Sequence, residues 1–396
     1  MHVTHLWVAD FRNYISTDVS LEPGVTFLVG PNGQGKTNLV EAIGYLATLR
    51  SHRVASDGPL VRFGADHSVI RAAVSKRGRS TTVEVDIIPG RANKAGINRT
   101  QVSRPRDILG TVRTVLFAPE DLSIIKGDPS GRRDFLDELL VARQPKWASV
   151  QGDYARALKQ RNALLKKAVP PGGGGKKTSY PKDPYFESTL SIWDDQLAGL
   201  GGRLMYARLR LLHDLSPRLK DAYFSVSEDG TENFFARATY RTSLIPEHSL
   251  KVSSLINSNE TPDVEDLQQA LFESLQGSHQ AEFARGVTLF GPHRDEVDLS
   301  LGEMPVKGYA SHGETWSFAL ALKLASYHLL RHDLGEDPVL ILDDVFAELD
   351  ARRRARLAEL IEDAEQVLIT AAVEEDIPPL LQGKRLNIFA GNVRDE

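Results

Sequence analysis

The stretch "VTFLVGPNGQGKTNLVEAI" (residues 25–43) decides how the rest of the chain is read. Its first part is a short apolar run between Pro23-Gly24 and Gly30-Pro31, which predicts a buried β-strand. Its last part has the apolar spacing of an amphipathic helix. Between them, Gly30-Pro31-Asn32-Gly33-Gln34-Gly35-Lys36-Thr37 matches G-x-x-x-x-G-K-[ST] in the strand-to-helix context that the pattern needs. The glycines let the backbone wrap a β-phosphate, with successive N–H groups turned inward as a nest. Lys36 is expected to neutralise β- and γ-phosphate oxygens, and Thr37 to place its hydroxyl on Mg2+. The expectation is an ATP and Mg2+ site.

A second motif supports it. In Val339-Leu340-Ile341-Leu342-Asp343-Asp344, four apolar residues predict a buried strand that ends in two carboxylates. Ligands of open α/β sheets bind at that end of the strands. Side chains alternate along a strand, so the two acids are expected to do different work. Asp343 is the candidate for holding Mg2+ through water, and Asp344 for orienting or deprotonating an attacking water. Read alone, the pair would also suit the cap of the next element.

Composition removes several classes. There is no cysteine, which excludes a disulfide framework and a thiolate zinc site. The start, "MHVTHLWVADFRNY", lacks a basic segment followed by an apolar one, so no signal peptide is expected. No apolar run approaches the ~18 residues of a membrane helix. The net charge of −5 argues against a generic nucleic-acid binder, but its distribution does not. From Arg50 to Arg106, twelve Lys/Arg stand against four Asp/Glu; from Arg331 to Asp376, five stand against fourteen. A basic and an acidic face on one molecule suit a protein that lays one surface on a polyanion. A solvated charged surface is the plain alternative. Arg50, Arg53, Arg62, Lys76, Arg77 and Arg79 are the candidates for phosphate contacts, which would be salt-dependent and blind to sequence. No stripe of interleaved aromatics predicts base stacking, so duplex or a duplex–single-strand junction is favoured.

Along the chain, residues 69–90 alternate and predict antiparallel strands. "TVRTVLFAPEDL" predicts a strand and a loop. Residues 132–167 and 185–224 read as two helical stretches around "AVPPGGGGKKTSYPKDP", a flexible connector by composition. Together they predict an antiparallel helical hairpin over 132–222 with its tip at 168–184. "NFFARATYR" predicts a strand, and "DVEDLQQALFESLQ" a helix with Asp263 at its N-cap. "QVLITAAV" is read as the final core strand. The stretch "ASHGETWSFALALKLA" (310–325) predicts a helix whose start is small, polar and suited to an anion.

The order of P-loop, distant Ser-x-Gly helix start and carboxylate strand is that of ABC-type ATPases. Over nearly its whole length the chain resembles the RecF family of bacterial recombination mediators, relatives of the SMC and Rad50 heads. The resemblance rests on "DFRNY" (10–14), "GPNGQGKTNLVEAI", "FAPEDLSIIKGDPSGRRDFLD" (117–137), "GPHRDEV" (291–297), "SHGE" and "LILDDVFAELD" ending in Asp350. It implies an α/β fold: an ABC-type P-loop ATPase head, a mixed sheet with an antiparallel subdomain, plus a helical lobe with a short antiparallel helical hairpin. Residues 1–118 with 333–396 would form the nucleotide-binding lobe, and 119–332 the helical lobe.

The resemblance also implies a head-to-head homodimer. Arg12 and Asn13 would join the P-loop on ATP. Ser311, Gly313 and the N–H groups opening at Glu314 would clasp the γ-phosphate held by the other copy. DNA would be the substrate surface, RecR and RecO the companion proteins, and the setting the cytoplasm at the nucleoid. Recombinase loading, replication restart and the SOS response are the expected roles. Two features depart from common ABC patterns. His312 stands where Gly or Gln is usual, and Asp344 replaces a longer Glu, which predicts slow turnover; stimulation by DNA is expected of a repair ATPase. Thr370, in place of a switch His, would touch the γ-phosphate or end a strand. Glu120-Asp121 stand where a Mg2+-sensing loop is expected. The alternatives from other classes are a transporter's nucleotide-binding subunit and an SMC-like structural head.

Overall fold

The computed structural model describes residues 1–167, 184–227 and 235–395. The expected loose tip lies outside them, apart from Pro184. The chain opens with β1 (His2–Phe11), β2 (Tyr14–Ser20), β3 (Gly24–Val29) and α1 (Lys36–Thr48). Next come β4 (Ser68–Lys76), β5 (Arg79–Ile87), β6 (Lys94–Ile97), β7 (Thr100–Gln101) and β8 (Thr114–Phe117). A helical run follows: α2 (Leu122–Lys126), α3 (Pro129–Arg143), α4 (Trp147–Lys167) and α5 (Pro184–Val226). Then come β9 (Ala236–Arg241), α6 (Leu250–Asn257), α7 (Val264–Arg285), β10 (Glu296–Leu301), β11 (Met304–Pro305) and α8 (His312–Leu334). The last elements are β12 (Val339–Asp343), α9 (Ala351–Ile361), β13 (Gln366–Ala371), β14 (Gly383–Phe389) and β15 (Asn392–Asp395).

One sheet has the order β15-β14-β3-β13-β12-β8, and all its pairs are parallel except the outer β14–β15 hairpin. Its central strands β3, β13 and β12 are buried on both faces, as parallel strands are when helices or sheets cover them. Neighbouring residues therefore feed different cores. Phe27, Val29, Leu340, Leu342, Val367 and Ile369 face the helices, while Leu28, Ile341, Leu368, Leu386 and Ile388 face α1 and the antiparallel sheet. That second sheet, β2-β1-β4-β5-β6-β7, wraps the other side of α1. This double cover explains why α1 is buried from Leu39 to Ala47.

Two expectations are corrected. The helical pattern over 132–167 is two helices, because Gln144 is extended (φ −143°) before Pro145. The proline ring crowds the preceding residue out of the α region, so α3 stops at Arg143. Also, β13 is not the final core strand: β14 continues the sheet on the far side of β3. Helices α4 and α5 run antiparallel and pack on each other. Arg161 of α4 meets Asp194 of α5 at 2.7 Å, and a Cβ on Gly201 would approach the Tyr154 ring to 3.2 Å. Arg161, Asp194 and Glu282 of α7 are fully buried, with the Arg161–Glu282 ion pair at 2.6 Å. Loss of one member would strand the other charges, so the cluster fixes how α4, α5 and α7 register.

Candidate functional site

The parallel strands β3, β13, β12 and β8 end along one edge, and the turns that follow them build the site. After β3 the backbone turns at Gly30, where an added Cβ would lie 2.2 Å from the Ile388 carbonyl oxygen of β14. Gly35 is equally constrained: at φ +117°, its Cβ would sit 2.7 Å from the Tyr14 hydroxyl and 2.9 Å from the Asn13 amide. Lys36 folds back over the loop and donates to the carbonyls of Gly30 (2.6 Å) and Pro31 (3.1 Å). Burial lowers its pKa, opposed by the charges of Asp344 and Asp343.

The outer surface of the loop is held from two sides. Asn13 donates to the Gln34 carbonyl at 3.0 Å, and the Tyr14 hydroxyl to that of Gly35 at 3.1 Å. From the β14–β15 turn, the Ala390 N–H donates to Gln34 Oε1 (2.7 Å) and the Gly391 N–H to the Gln34 carbonyl (3.3 Å). Pro31, Asn32 and Gly33 are exposed. Arg12 forms a two-pronged ion pair with Glu41 of α1, at 2.8 and 2.5 Å. Glu41 is buried and also accepts from Ser51 Oγ (2.5 Å) and lies 3.4 Å from Arg53. It thus pins the "DFRNY" turn and the loop after α1 to one helix.

Thr37 and Asp343 meet as the sequence predicts: Thr37 Oγ1 donates to Asp343 Oδ1 at 2.9 Å. Thr370, on the neighbouring strand in register with Asp343, donates to the same oxygen at 2.7 Å. The alternation argument for the two acids does not hold, because β12 ends at Asp343. Asp344 lies beyond it at φ +52°, a left-handed turn that Asp tolerates better than most residues. That turn swings its carboxylate back, and Asp344 Oδ1 lies 3.3 Å from Thr370 Oγ1. Burial and the charge of Asp343 raise the pKa of Asp344, while Lys36 and the Thr370 hydrogen bond oppose them. A hydroxyl and a carboxylate side by side are hard oxygen donors, which is what Mg2+ takes from a P-loop protein.

Ser311 is the N-cap of α8. Its Oγ accepts from the Glu314 N–H at 3.2 Å, and the Glu314 carboxylate accepts from the Ser311 N–H at 2.7 Å. This capping box leaves Ser311 and His312 exposed at the helix start. Gly313 packs on Arg353 of α9: a Cβ there would meet the guanidinium at 2.9 Å. Arg353 in turn donates to Ser317 Oγ (3.2 Å) and Asp350 Oδ2 (2.5 Å). Asp121 is engaged with Lys323 of α8 at 2.8 Å, and Glu120 is exposed.

The six basic candidates fall into separate groups. Arg53 donates to Asn38 (2.8 Å) at the start of α1, and Arg62 to Asp10 (2.6 Å). With Arg12 they line an open groove beside Phe63, which is 99% exposed. Arg50 pairs with Asp134 of α3 at 3.3 Å. Lys76 pairs with Glu336, and Arg77 donates to the Leu334 carbonyl at the C-terminus of α8, where a cation suits the helix dipole. Arg79 is exposed opposite Lys76. Glu336 precedes β12 and so lies at the end of the sheet opposite the carboxylates; the basic stretch is not one surface.

The stretches "RRDFLD" and "GPHRDE" lock together in the helical region. Arg132 bonds both oxygens of Glu296 (2.8 and 2.9 Å), and Arg133 donates to the Asp295 carbonyl (2.8 Å). Arg208 of α5 joins Asp137 to the Pro292 carbonyl. Tyr154 is hydrogen-bonded to His293 at 2.7 Å, and burial pushes the His293 pKa down to about 4. In the sequence, dense charge in the two stretches is the signal for these residues.

The RecF/RecN/SMC N-terminal domain model matches residues 2–378. DNA replication and repair protein RecF of Streptomyces avermitilis is 52% identical, covering 99% of both chains. The RecF proteins of Beutenbergia cavernae and Frankia alni are each 51% identical, again over 99% of both chains. The chain belongs to the RecF family. A solved structure of the recombination mediator protein RecF with ATP, from the RecFOR pathway, superimposes over 100% of this chain and 99% of that one, with a TM-score of 0.84 at 27% identity. An Smc head domain from Pyrococcus furiosus, at 15% identity and a TM-score of 0.52, shares the ABC-type fold with this RecF-family chain. Among the described residues, no helix is long and apolar enough to cross a membrane.

Proposed function

We propose that this RecF-family protein is a DNA replication and repair ATPase that pairs head to head around ATP on gapped or junction DNA. The reading is carried by two half-sites exposed on one chain. One is the P-loop with Thr37, Asp343 and Asp344; the other is the helix start at Ser311, capped within α8 and packed through Gly313 on Arg353 of α9. A second copy turned by a two-fold axis would bring its helix start to the first copy's γ-phosphate, and the reverse.

Thr37 and Asp343 would hold Mg2+, which when bound supplies charge neutralisation to the β- and γ-phosphates. Lys36 exchanges loop carbonyls for phosphate oxygens. Asp344, held by Thr370, orients the attacking water, and its short side chain fits slow turnover that DNA would stimulate. Ser311 Oγ and the first N–H groups of α8 add contacts in trans. A charge-assisted hydrogen bond contributes roughly 1.5–3 kcal/mol. Two sites with two or three such contacts give a gross gain of about 6–18 kcal/mol. Moving a population from mostly single to mostly paired needs about 5.5 kcal/mol. The two γ-phosphates together are therefore enough to switch the dimer, and their hydrolysis to release it.

DNA would lie along Arg53 and Arg62 with companions of the RecR and RecO kind, in the cytoplasm at the nucleoid. The test is light scattering with ATP and a gapped duplex. Mass should double with ATP and DNA and return to the single copy with ADP; a single copy under every condition overturns the reading.

A further inference from the structure

His52 follows α1 in a loop anchored through Ser51 and Arg53 on Glu41 and Asn38. Ser51 Oγ also accepts the N–H groups of Arg53 (3.0 Å) and Val54 (3.1 Å), so the loop is tied on both sides of the imidazole. Its Nε2 is buried, without a hydrogen-bond partner, and 3.7 Å from Asp343 Oδ2. That separation is too long for a hydrogen bond. Leaving a buried nitrogen unmatched is unfavourable, and such groups mark positions completed by a water, an ion or a ligand. Asp343 divides its oxygens accordingly: Oδ1 takes the hydroxyls of Thr37 and Thr370, while Oδ2 faces His52. A cavity of about 300 Å3 lined by His52, Ser51, Glu120 and Lys323 adjoins the imidazole, so the side chain has polar space beside it.

We propose that His52 is a positioning residue of the cation site, supporting Asp343 from the side opposite the two threonines and thereby setting divalent-cation affinity. This rests on Thr37 and Asp343 being the residues that hold the cation. Residues that orient a metal-binding carboxylate from outside typically change metal affinity 10–100-fold when removed.

The experiment measures Mn2+ binding by electron paramagnetic resonance with ATPγS present, and binding of a fluorescent ATP analogue in EDTA. His52→Ala should weaken Mn2+ binding about 10–100-fold while metal-free nucleotide affinity stays at the wild-type value. His52→Gln, which keeps a polar group at this place, should recover most of the loss. Unchanged Mn2+ affinity in His52→Ala overturns the proposal. So does an equal loss of metal-free nucleotide binding, or a Gln variant as weak as Ala, since either makes His52 a packing residue of the loop. Asp343→Asn separates the two levels: if it retains Mn2+ affinity, the cation-site reading itself falls.

Discussion

Thr370 ties the two acids of the site together. Its Oγ1 donates to Asp343 Oδ1 at 2.7 Å and accepts from the Asp344 N–H at 2.8 Å. The hydroxyl thus fixes both the carboxylate beside Thr37 and the left-handed turn that carries Asp344. Thr370→Val keeps the shape and removes these bonds and the one to Asp344 Oδ1. Stability should fall by about 1–3 kcal/mol, with Thr370→Ser restoring most of it. Urea denaturation checks this; an unchanged midpoint would mean that the hydroxyl holds nothing.

Two glycines of the P-loop should respond differently. Gly30→Ala drives a Cβ into the Ile388 carbonyl, a backbone atom that cannot swing aside. Overpacking of about 1–3 kcal/mol or more should appear, with loss of nucleotide binding. Gly33 has open space around its Cβ position, and only its φ of +79° resists alanine. Gly33→Ala should retain measurable binding of a fluorescent ATP analogue.

Glu296 gives a pH signature. Burial raises its pKa, but the hydrogen bonds from Arg132 and the Val297 N–H outweigh that and hold it below the usual carboxylate range. A depressed carboxyl stabilises the fold above its unfolded pKa, about 4.3, and the contribution is lost as pH falls through the folded value. Wild-type stability should therefore drop in that acid window, and Glu296→Gln should lack this part of the drop. At neutral pH, Glu296→Ala removes the counter-charge of the buried Arg132, which keeps the carbonyls of Ile124 and Gly127, and should cost about 1–3 kcal/mol. Thermal melts across pH test both statements.

Ser311→Arg should leave nucleotide binding by the single copy intact and abolish pairing, because Ser311 is exposed and its side-chain bond is to its own helix. Ser311→Ala separates cap from clasp, as loss of an N-cap costs about 0.5–2 kcal/mol. Light scattering with ATP that still shows a dimer for Ser311→Arg would remove residue 311 from the interface.

On DNA, Arg53→Glu should weaken duplex binding several-fold at low salt. Lys76→Glu should leave it near wild type and instead lower the melting temperature, since it opposes Glu336 with a like charge. Fluorescence anisotropy with equal losses for the two variants would mean that the binding surface spans both ends of the sheet.

Much of the site is legible in the sequence. The P-loop and the helix start at Ser311 are local patterns whose geometry the residue types dictate, and the Thr37–Asp343 meeting joins two such motifs across the sheet edge. Four features are harder to read there. The role of Glu41 depends on Arg12, Ser51 and Arg53 converging from different loops, and no spacing along α1 announces that. The convergence of Asp343 and Asp344 turns on one left-handed residue after the strand. Strand β14 did leave a trace, since Leu386 and Ile388 alternate before Ala-Gly-Asn, but an exposed Phe389 and flanking charges obscure it. The break at Pro145 is masked by the helical pattern on both sides.

The central position of β3 has a consequence for synthesis on the ribosome. Its two neighbours, β13 and β14, begin at residues 366 and 383. More than three hundred residues must be translated after Val29 before either edge of β3 finds its mate. At about 5–20 residues per second, the nascent segment Thr26–Val29 waits roughly 20–70 s with an unsatisfied apolar ladder. Premature termination anywhere before β13 therefore yields a polypeptide with its nucleotide pocket unformed and a sticky strand on display, a natural client for chaperones.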